Sequence, residues 1–425
     1  MVILSSTPPA PCEGVMMSTL VQNNSRALDS VVLAVVLTGF VASTYGFGVY
    51  LFANLVVDMR RDIGFDYTTV GLITGGAQIG FLLFSSVTSY ISRFFEGWKI
   101  SLVSTVVTSL ALLGLSVSDS IWLSGGLLIL LGGCSASVYI PLAEIVTKGF
   151  SPGNRSRVMG LISSGTSYGV FINGLLVSFL TLQGGWRSIW LTAGVVSLGL
   201  CFVAWFLLRN MGAEQAAGFS GERSRSLDGH TPWLSRSLYL IWGIAFLNGM
   251  ALLPFQTYLA PYLRDELGVS VQDAGFIWTT IGAVGMASGF LVGWVADKVG
   301  ARAALALCFL SAALAAMLVF SFNTIALFYL AAFLFALAFY PIFGLVPSYI
   351  GQIVPVNRLT QAFGIANVLI GLGGVCGNFL GGLSKDLTGS FATVYWVVSL
   401  LLLLQCVMVF MLGKQPVSLT EGERS

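Results

Sequence analysis

The sequence predicts an all-α membrane protein of twelve spanning helices, arranged as two pseudo-symmetric six-helix bundles. Three observations carry that prediction. Of 425 residues, 56% are hydrophobic and only 9% charged, whereas soluble domains carry about 25% charged residues. The apolar stretches run to about 20 residues, the length needed to cross ~30 Å of hydrocarbon. A composite pattern also recurs at a nearly constant offset. Arg60-Arg61-Asp62-Ile63-Gly64 with Gly71 returns as Arg264-Asp265-Glu266-Leu267-Gly268 with Gly275. Pro152-Gly153-Asn154-Arg155 with Gly160 returns as Pro355-Val356-Asn357-Arg358 with Gly364. Each match is degenerate, but the offsets agree to within one residue, as duplication requires. In a membrane protein, two such halves point to a transporter with its site between them.

The elements follow in order. Apolar runs at 31–55, 70–91, 100–118, 121–146, 157–181 and 188–208 make the first half. Runs at 238–260, 275–296, 303–321, 325–350, 361–383 and 392–412 make the second. This divides the chain into a tail at 1–27, a bundle at 28–208, a polar connection at 209–237, a bundle at 238–412 and a tail at 413–425. The connection holds Glu214, Glu222, Arg223, Arg225 and Asp228 and is the only long one inside the chain. Residues 1–27 lack a basic stretch followed by a short apolar core, so they read as a cytoplasmic tail rather than a signal peptide. Met16-Met17 leaves the natural start open between Met1 and a later position.

Charge tests the count. With both termini on one side, that side holds 15 of the 20 Lys and Arg, and the other holds Arg60, Arg61, Arg187, Arg264 and Lys385. The positive-inside rule then places both ends in the cytoplasm, with an even number of spans in a bacterial inner membrane. The mean hydropathy of +0.88 excludes nucleic-acid binding as a primary role. The six cysteines form no CxxC pair and five lie in apolar runs, where they read as small buried hydrophobes. The single histidine, His230, sits in the polar connection, which argues against a histidine metal or proton site. No cofactor or nucleophile–base pair is expected, and hence no enzyme.

The connection after the eighth run reads Gly293-Trp294-Val295-Ala296-Asp297-Lys298-Val299-Gly300-Ala301-Arg302. Gly293 permits close helix approach and Gly300 a tight turn, while Asp297 can pair with cations or a helix N-terminus. This resembles the G-x-x-x-D-R/K-x-G-x-R signature of the major facilitator superfamily. In the equivalent stretch, Ser89 to Lys99, Ser89 replaces the glycine and Ser92 the aspartate. Gly185-Trp186-Arg187-Ser188-Ile189-Trp190 and Asp386-Leu387-Thr388-Gly389-Ser390 are similar to further superfamily elements. The resemblance implies a central cavity lined by helices 1, 4, 7 and 10, alternating access, and a cytoplasmic latch. The latch set is Gly293, Asp297, Lys298, Gly300 and Arg302 with Arg93, Glu144, Arg155 and Arg358. Subfamily signals conflict. Tyr45-Gly46-Phe47-Gly48-Val49 looks like the start of monocarboxylate and oxalate/formate carriers, yet the eighth run carries no ionisable side chain where they place an Asp/Arg pair. Gly165 to Gly174 loosely resembles the antiporter motif of drug exporters, with Val170 in place of its proline.

Polar side chains within spans should face the bundle or a wet cavity. The candidates for solute contact are Tyr45, Tyr50, Asn54, Gln78, Tyr139, Tyr168 and Asn173 in the first half. The second half offers Asn248, Gln256, Tyr258, Trp278, Tyr340, Asn367 and Asn378. For each of them, hydrogen bonding between helices is the alternative role. Asn367 and Asn378 are three turns apart on nearly one face, and Asn173 corresponds to Asn378 through the duplication. Glycines four apart (Gly285, Gly289, Gly293; Gly373, Gly377, Gly381) form flat strips for helix packing. Glu144 is the one carboxylate within a run away from its ends, and it reads as part of an interfacial ion pair with Lys148 or Arg155. Glu144→Gln should therefore impair gating or stability without abolishing solute binding. No cation sits centrally in a span, which favours a neutral or amphipathic solute or a weak acid moved in protonated form. The expected partners are that solute, the bilayer and, as an optional coupling ion, protons; the expected state is a monomer. Efflux of drugs or metabolites stands as the alternative, and a non-transporting membrane sensor is the remaining one.

Overall fold

A computed structural model describes residues 30–150, 154–215 and 234–413. The tails 1–27 and 414–425, most of the connection 209–237, and with them Cys12, Met16, Met17 and His230, lie outside the described residues. Eleven described helices are long and apolar enough to cross a membrane. One of them runs for 51 residues, about 77 Å at 1.5 Å per residue, far longer than one crossing. It is two helices in line, because Gly185 has non-helical angles (φ 68°, ψ −177°). Divided there, the spans number twelve.

They are α1 (Ser30–Ile63), α2 (Tyr67–Ile91), α3 (Gly97–Ser116), α4 (Ile121–Thr147), α5 (157–184) and α6 (186–207). The second six are α7 (Arg236–Glu266), α8 (Val271–Val299), α9 (Ala301–Ser321), α10 (Ile325–Ile353), α11 (Arg358–Thr388) and α12 (Ala392–Met411). The helix ends follow local chemistry. Gly64 and Gly389 close α1 and α11 in the left-handed region, at φ 81° and 76°, which glycine adopts without a Cβ penalty. Asp66 caps α2 by accepting from the Thr69 amide at 2.8 Å. The Thr69 side chain, and then its amide, hold the Asp66 carboxyl below the ordinary value. The cap therefore persists until the pH falls through that lowered value. Gly300 turns α8 into α9 at φ 86°, as its place in the signature implied.

The repeated element closes helices. Arg60 to Asp62 belong to the last helical turn of α1 rather than to the connection. Arg264 to Glu266 belong to a π-helical turn closing α7. The connections proper are the short stretches after Gly64 and Leu267.

The halves meet unevenly. All five cations of the cation-poor end take part in ion pairs there. At that end glycines put backbone against backbone across the halves. Gly71 and Gly382 join α2 to α11, and Gly174, Gly275 and Gly282 join α5 to α8. At the cation-rich end Gly160, Gly289, Gly293 and Gly364 have open space where a Cβ would stand. The main apolar core runs through both halves. A second core, around Phe40, Leu102, Val138 and Ile162, belongs to the first half alone. Among the described residues, the molecule is thus clamped at its cation-poor end and more loosely packed at the other.

Candidate cavity and the cross-half clamp

A narrow cleft of about 50 Å³ lies between α1, α2, α4, α7 and α11. Its α1 wall is built on an unusual stretch. Residues Ala42–Tyr50 form a π-helix, a geometry that shifts the backbone ladder and recurs at functional sites. Gly46 within it lies against Gly169 of α5, with no side chain between them. The Gly46 carbonyl accepts a hydrogen bond from Asn173 Nδ2 at 2.6 Å. The shifted register presents Gly48, Val49 and Tyr50 to the cleft, followed by Phe52 and Ala53.

Of the fourteen residues proposed for solute contact, Tyr50, Gln78, Gln256 and Asn378 line this cleft together. Asn54 is buried one turn above Tyr50, with neither amide atom hydrogen-bonded. Tyr45 meets Tyr139 edge-on at 5.9 Å and Phe81 at 6.4 Å, making an aromatic cluster towards the cation-rich end. The Tyr139 hydroxyl lies 3.2 Å from that of Ser163. Asn367 is exposed, on the α11 face that carries Gly371 against Leu82 of α2, and Tyr168 is exposed on α5. Tyr340 packs edge-on to Phe339 at 5.1 Å, and Phe339 in turn meets Tyr50 across the halves at 6.2 Å.

Others have packing roles. Asn173 donates to backbone. Tyr258 donates its hydroxyl to the Asn378 carbonyl and stacks on Phe391 at 5.2 Å. Trp278 and Asn248 are buried away from the cleft lining. Helices α7 and α11 meet through Gly373, Gly377 and Gly381 against Phe246, Met250 and Tyr258, which makes that glycine strip a packing surface within one half. Neither α8 nor α10 contributes to the cleft lining, although the resemblance assigned a share to helix 10.

No ionisable side chain other than the Tyr50 phenol lines the cleft. The lining offers Gln78, Gln256 and Asn378 amides, Thr74 and Thr257 hydroxyls, and apolar surface. Gln256 is only 2% exposed and neither of its amide atoms has a partner; Asn378 Oδ1 is likewise buried and unpaired. Buried polar groups are hydrogen-bonded in the large majority of cases, so this cluster is unusual.

The cation-poor end is closed by a network of charges shared between the halves. Arg264 of α7 makes two hydrogen bonds to Asp58 of α1, both 2.7 Å. Asp265 accepts from Arg61 at 2.7 Å, from Arg60 at 3.3 Å and from the Tyr67 hydroxyl. Asp386 of α11 accepts from the amide and hydroxyl of Thr68, at 2.7 and 2.6 Å, and so caps α2 from the opposite half. The second acid of each repeat works within its own half. Asp62 accepts from Trp186 and Arg187 at the α5–α6 turn. Glu266 accepts from Lys385, Ser390 and the Phe391 amide at the α11–α12 turn. The signal for the clamp was present: the two copies carry complementary charges, Arg60-Arg61 against Asp265 and Asp58 against Arg264.

Of the expected latch residues, Arg302, Arg155, Lys298 and Arg93 make contacts within their own halves. Arg302 donates to the Val409 and Phe410 carbonyls, capping α12 rather than pairing across the gap. Arg155 donates to the Thr147 and Phe150 carbonyls at 2.7 and 3.2 Å. Lys298 sits over the Trp294 ring at 3.5 Å, and Arg93 over Tyr90 at 5.8 Å. Arg358 reaches Gln361 at 3.3 Å, Asp297 is exposed, and Glu144 is half-buried in the first turn of the short helix Leu142–Gly149.

A sequence profile of the Major Facilitator Superfamily matches residues 36–377 and again 241–425. The chain belongs to the Major Facilitator Superfamily. Its place there is that of an integral, multi-pass membrane transporter. Among members, it is 25% identical to the hexuronate transporter of Bacillus subtilis (strain 168) over 79% of this chain and 84% of that protein. It is 25% identical to monocarboxylate transporter 12 of Xenopus laevis over 80% of this chain and 79% of the relative. Among solved structures it is similar to an inward-facing, occupied bacterial homologue of the human lysosomal transporter Spinster. That match has TM-score 0.70 at 14% identity and covers 90% of this chain and 96% of the other. A variant of the nucleoside transporter NupG matches with TM-score 0.70 at 13% identity, over 90% and 100% of the two chains.

Proposed function

We propose that this superfamily member is a secondary transporter that moves a small organic solute of neutral, amphipathic or weakly acidic character by alternating access. One observation carries the reading: a cleft of amides, hydroxyls and aromatic rings between the halves, sealed at one end by charges shared across them and more loosely packed at the other. The positive-inside rule favours a cytoplasmic cation-rich end, which supports reading this arrangement as inward-facing with both termini inside. On this reading Arg93, Arg155, Asp297, Lys298 and Arg302 engage across the halves only when the cytoplasmic end closes. The chain acts as a monomer, without a cofactor and without catalysis.

Relatives named for hexuronate and monocarboxylate transport point to organic acids. The cleft, however, has no arginine, lysine or half-helix N-terminus such as an ionised carboxylate ordinarily meets, which favours solutes without a fixed charge. The test is counterflow in proteoliposomes with a hexuronate, a short monocarboxylate, a nucleoside and a neutral sugar. The expected result is exchange of at least one of them that is lost when positions 61 and 265 are replaced by cysteine and cross-linked. Exchange that survives the cross-link would refute alternating access through this clamp.

A further inference from the structure

The unpaired amides of the cleft say more about the solute than its lack of charge does. This inference rests on the transport reading above and refines its site. Gln256 presents one donor and one acceptor from the same planar amide, both buried and unsatisfied. Asn378 Oδ1, on the neighbouring helix α11, adds an acceptor to the same cleft. Leaving a buried amide unpaired costs roughly 1–3 kcal/mol for each group, and more in an apolar medium. A binding partner recovers that cost only if it satisfies both kinds of group at once. An ionised carboxylate offers acceptors only and leaves the Gln256 carbonyl unpaired. An ammonium offers donors only and leaves the Gln256 NH₂ unpaired.

We infer that the cleft recognises a neutral group bearing a hydrogen-bond donor beside an acceptor, held head-to-head by Gln256 with Asn378 Oδ1 taking a further donor. A protonated carboxylic acid, a carboxamide and a vicinal diol share that chemistry. For an acid, the proton then travels on the solute, and no side chain has to carry it. The charged groups at the clamped ends of α1, α7 and α11 are engaged elsewhere. On α1, Asp58, Arg60 and Arg61 pair with Arg264 and Asp265 of α7 itself. On α11, Lys385 pairs with Glu266, and Asp386 caps α2. The Tyr50 phenol is the one titratable group in the lining.

The test is binding to the purified full-length protein, measured by thermal shift and calorimetry so that passive leakage of neutral acids through lipid plays no part. The probes are carboxylic acids of graded pKa, their carboxamides, a cyclic vicinal diol and a quaternary ammonium ion. Acid affinity should fall about tenfold per pH unit above the pKa of each acid, so that the profiles separate along the series. Matching carboxamides should bind equally at every pH, and a diol that binds in place of both identifies a polyol solute. Gln256→Leu should abolish these affinities by about tenfold or more, while raising the melting temperature of the unliganded protein because an unpaired amide is gone. That opposite sign separates recognition from a structural role. Three results would overturn the inference: pH-independent binding of the ionised acids, preferred binding of the ammonium ion, or unchanged affinity in Gln256→Leu. Counterflow of a permanently charged solute would leave the transport reading standing and this one refuted.

Discussion

At the residue scale, burial decides which members of the clamp matter. The Arg264 side chain is 3% exposed and Asp58 18%, whereas Arg61 is 57% exposed. Removing one partner of a buried pair leaves the other charge desolvated and uncompensated. Asp58→Ala should therefore cost about 2–4 kcal/mol of thermal stability. Exchanging the two residues (Asp58→Arg with Arg264→Asp) should restore most of it, because the two bonds need complementary charges rather than a given direction. Arg61→Ala should cost less than about 1 kcal/mol, as exposed pairs do. Melting curves of the four proteins in detergent check all three. A double exchange no more stable than the single variants would mean that packing, not charge, holds this end.

At the element scale the glycines divide by what they touch. Gly275 of α8 lies against the backbone of Gly174 and the side chain of Ser178, and Gly293 two α8 turns past Gly285 meets nothing. A side chain at Gly275 must push α8 away from α5, so Gly275→Leu should lower the melting temperature and loosen the clamped end. Gly293→Leu should leave stability unchanged or raise it by up to about 1 kcal/mol, since leucine is the better helix former. It should nonetheless slow counterflow, because closing the cation-rich end would bring that surface into contact. Gly185 poses a different constraint: its extended positive-φ conformation is nearly glycine-only, so Gly185→Ala should cost roughly 1–3 kcal/mol despite the free space around it. The helices, their pairing by duplication and the Gly300 turn were legible in the sequence because hydrophobicity and glycine act locally. The π-helical stretch of α1 was not, since it depends on what α5 offers to Gly46. Nor could the sequence separate Gln256, left unpaired in the cleft, from Asn173, which is spent on a backbone carbonyl. Both are amides in apolar runs, and only the facing helix distinguishes them.

At the scale of the whole molecule, duplication explains why one end can close so tightly. Each copy of the Arg/Asp–Gly element reaches across to the other half with its first charged residues and anchors its own half with its last acid. The clamp thus centres on Arg61 and Asp265, equivalent positions of the two copies that meet each other, with Asp58–Arg264 and the Asp386 cap on α2 as added asymmetric pieces. The described part of the cation-rich end shows no such reciprocity, since Arg93, Arg155 and Arg302 each contact their own half. Closure there must rest on fewer charges, which predicts that this end opens more readily than the clamped one. Cysteine labelling in sealed vesicles, with Cys376 replaced by serine, tests the consequence. Asn367→Cys, exposed on the cation-rich side, should react fast with an impermeant maleimide from that side, and Tyr67→Cys, buried in the clamp, slowly from the other. A transported solute should slow the first reaction and speed the second, since a cycle that closes one end has to open the other. Solute that slows both would indicate occlusion without exchange of access, and the two-ended account of this fold would then fail.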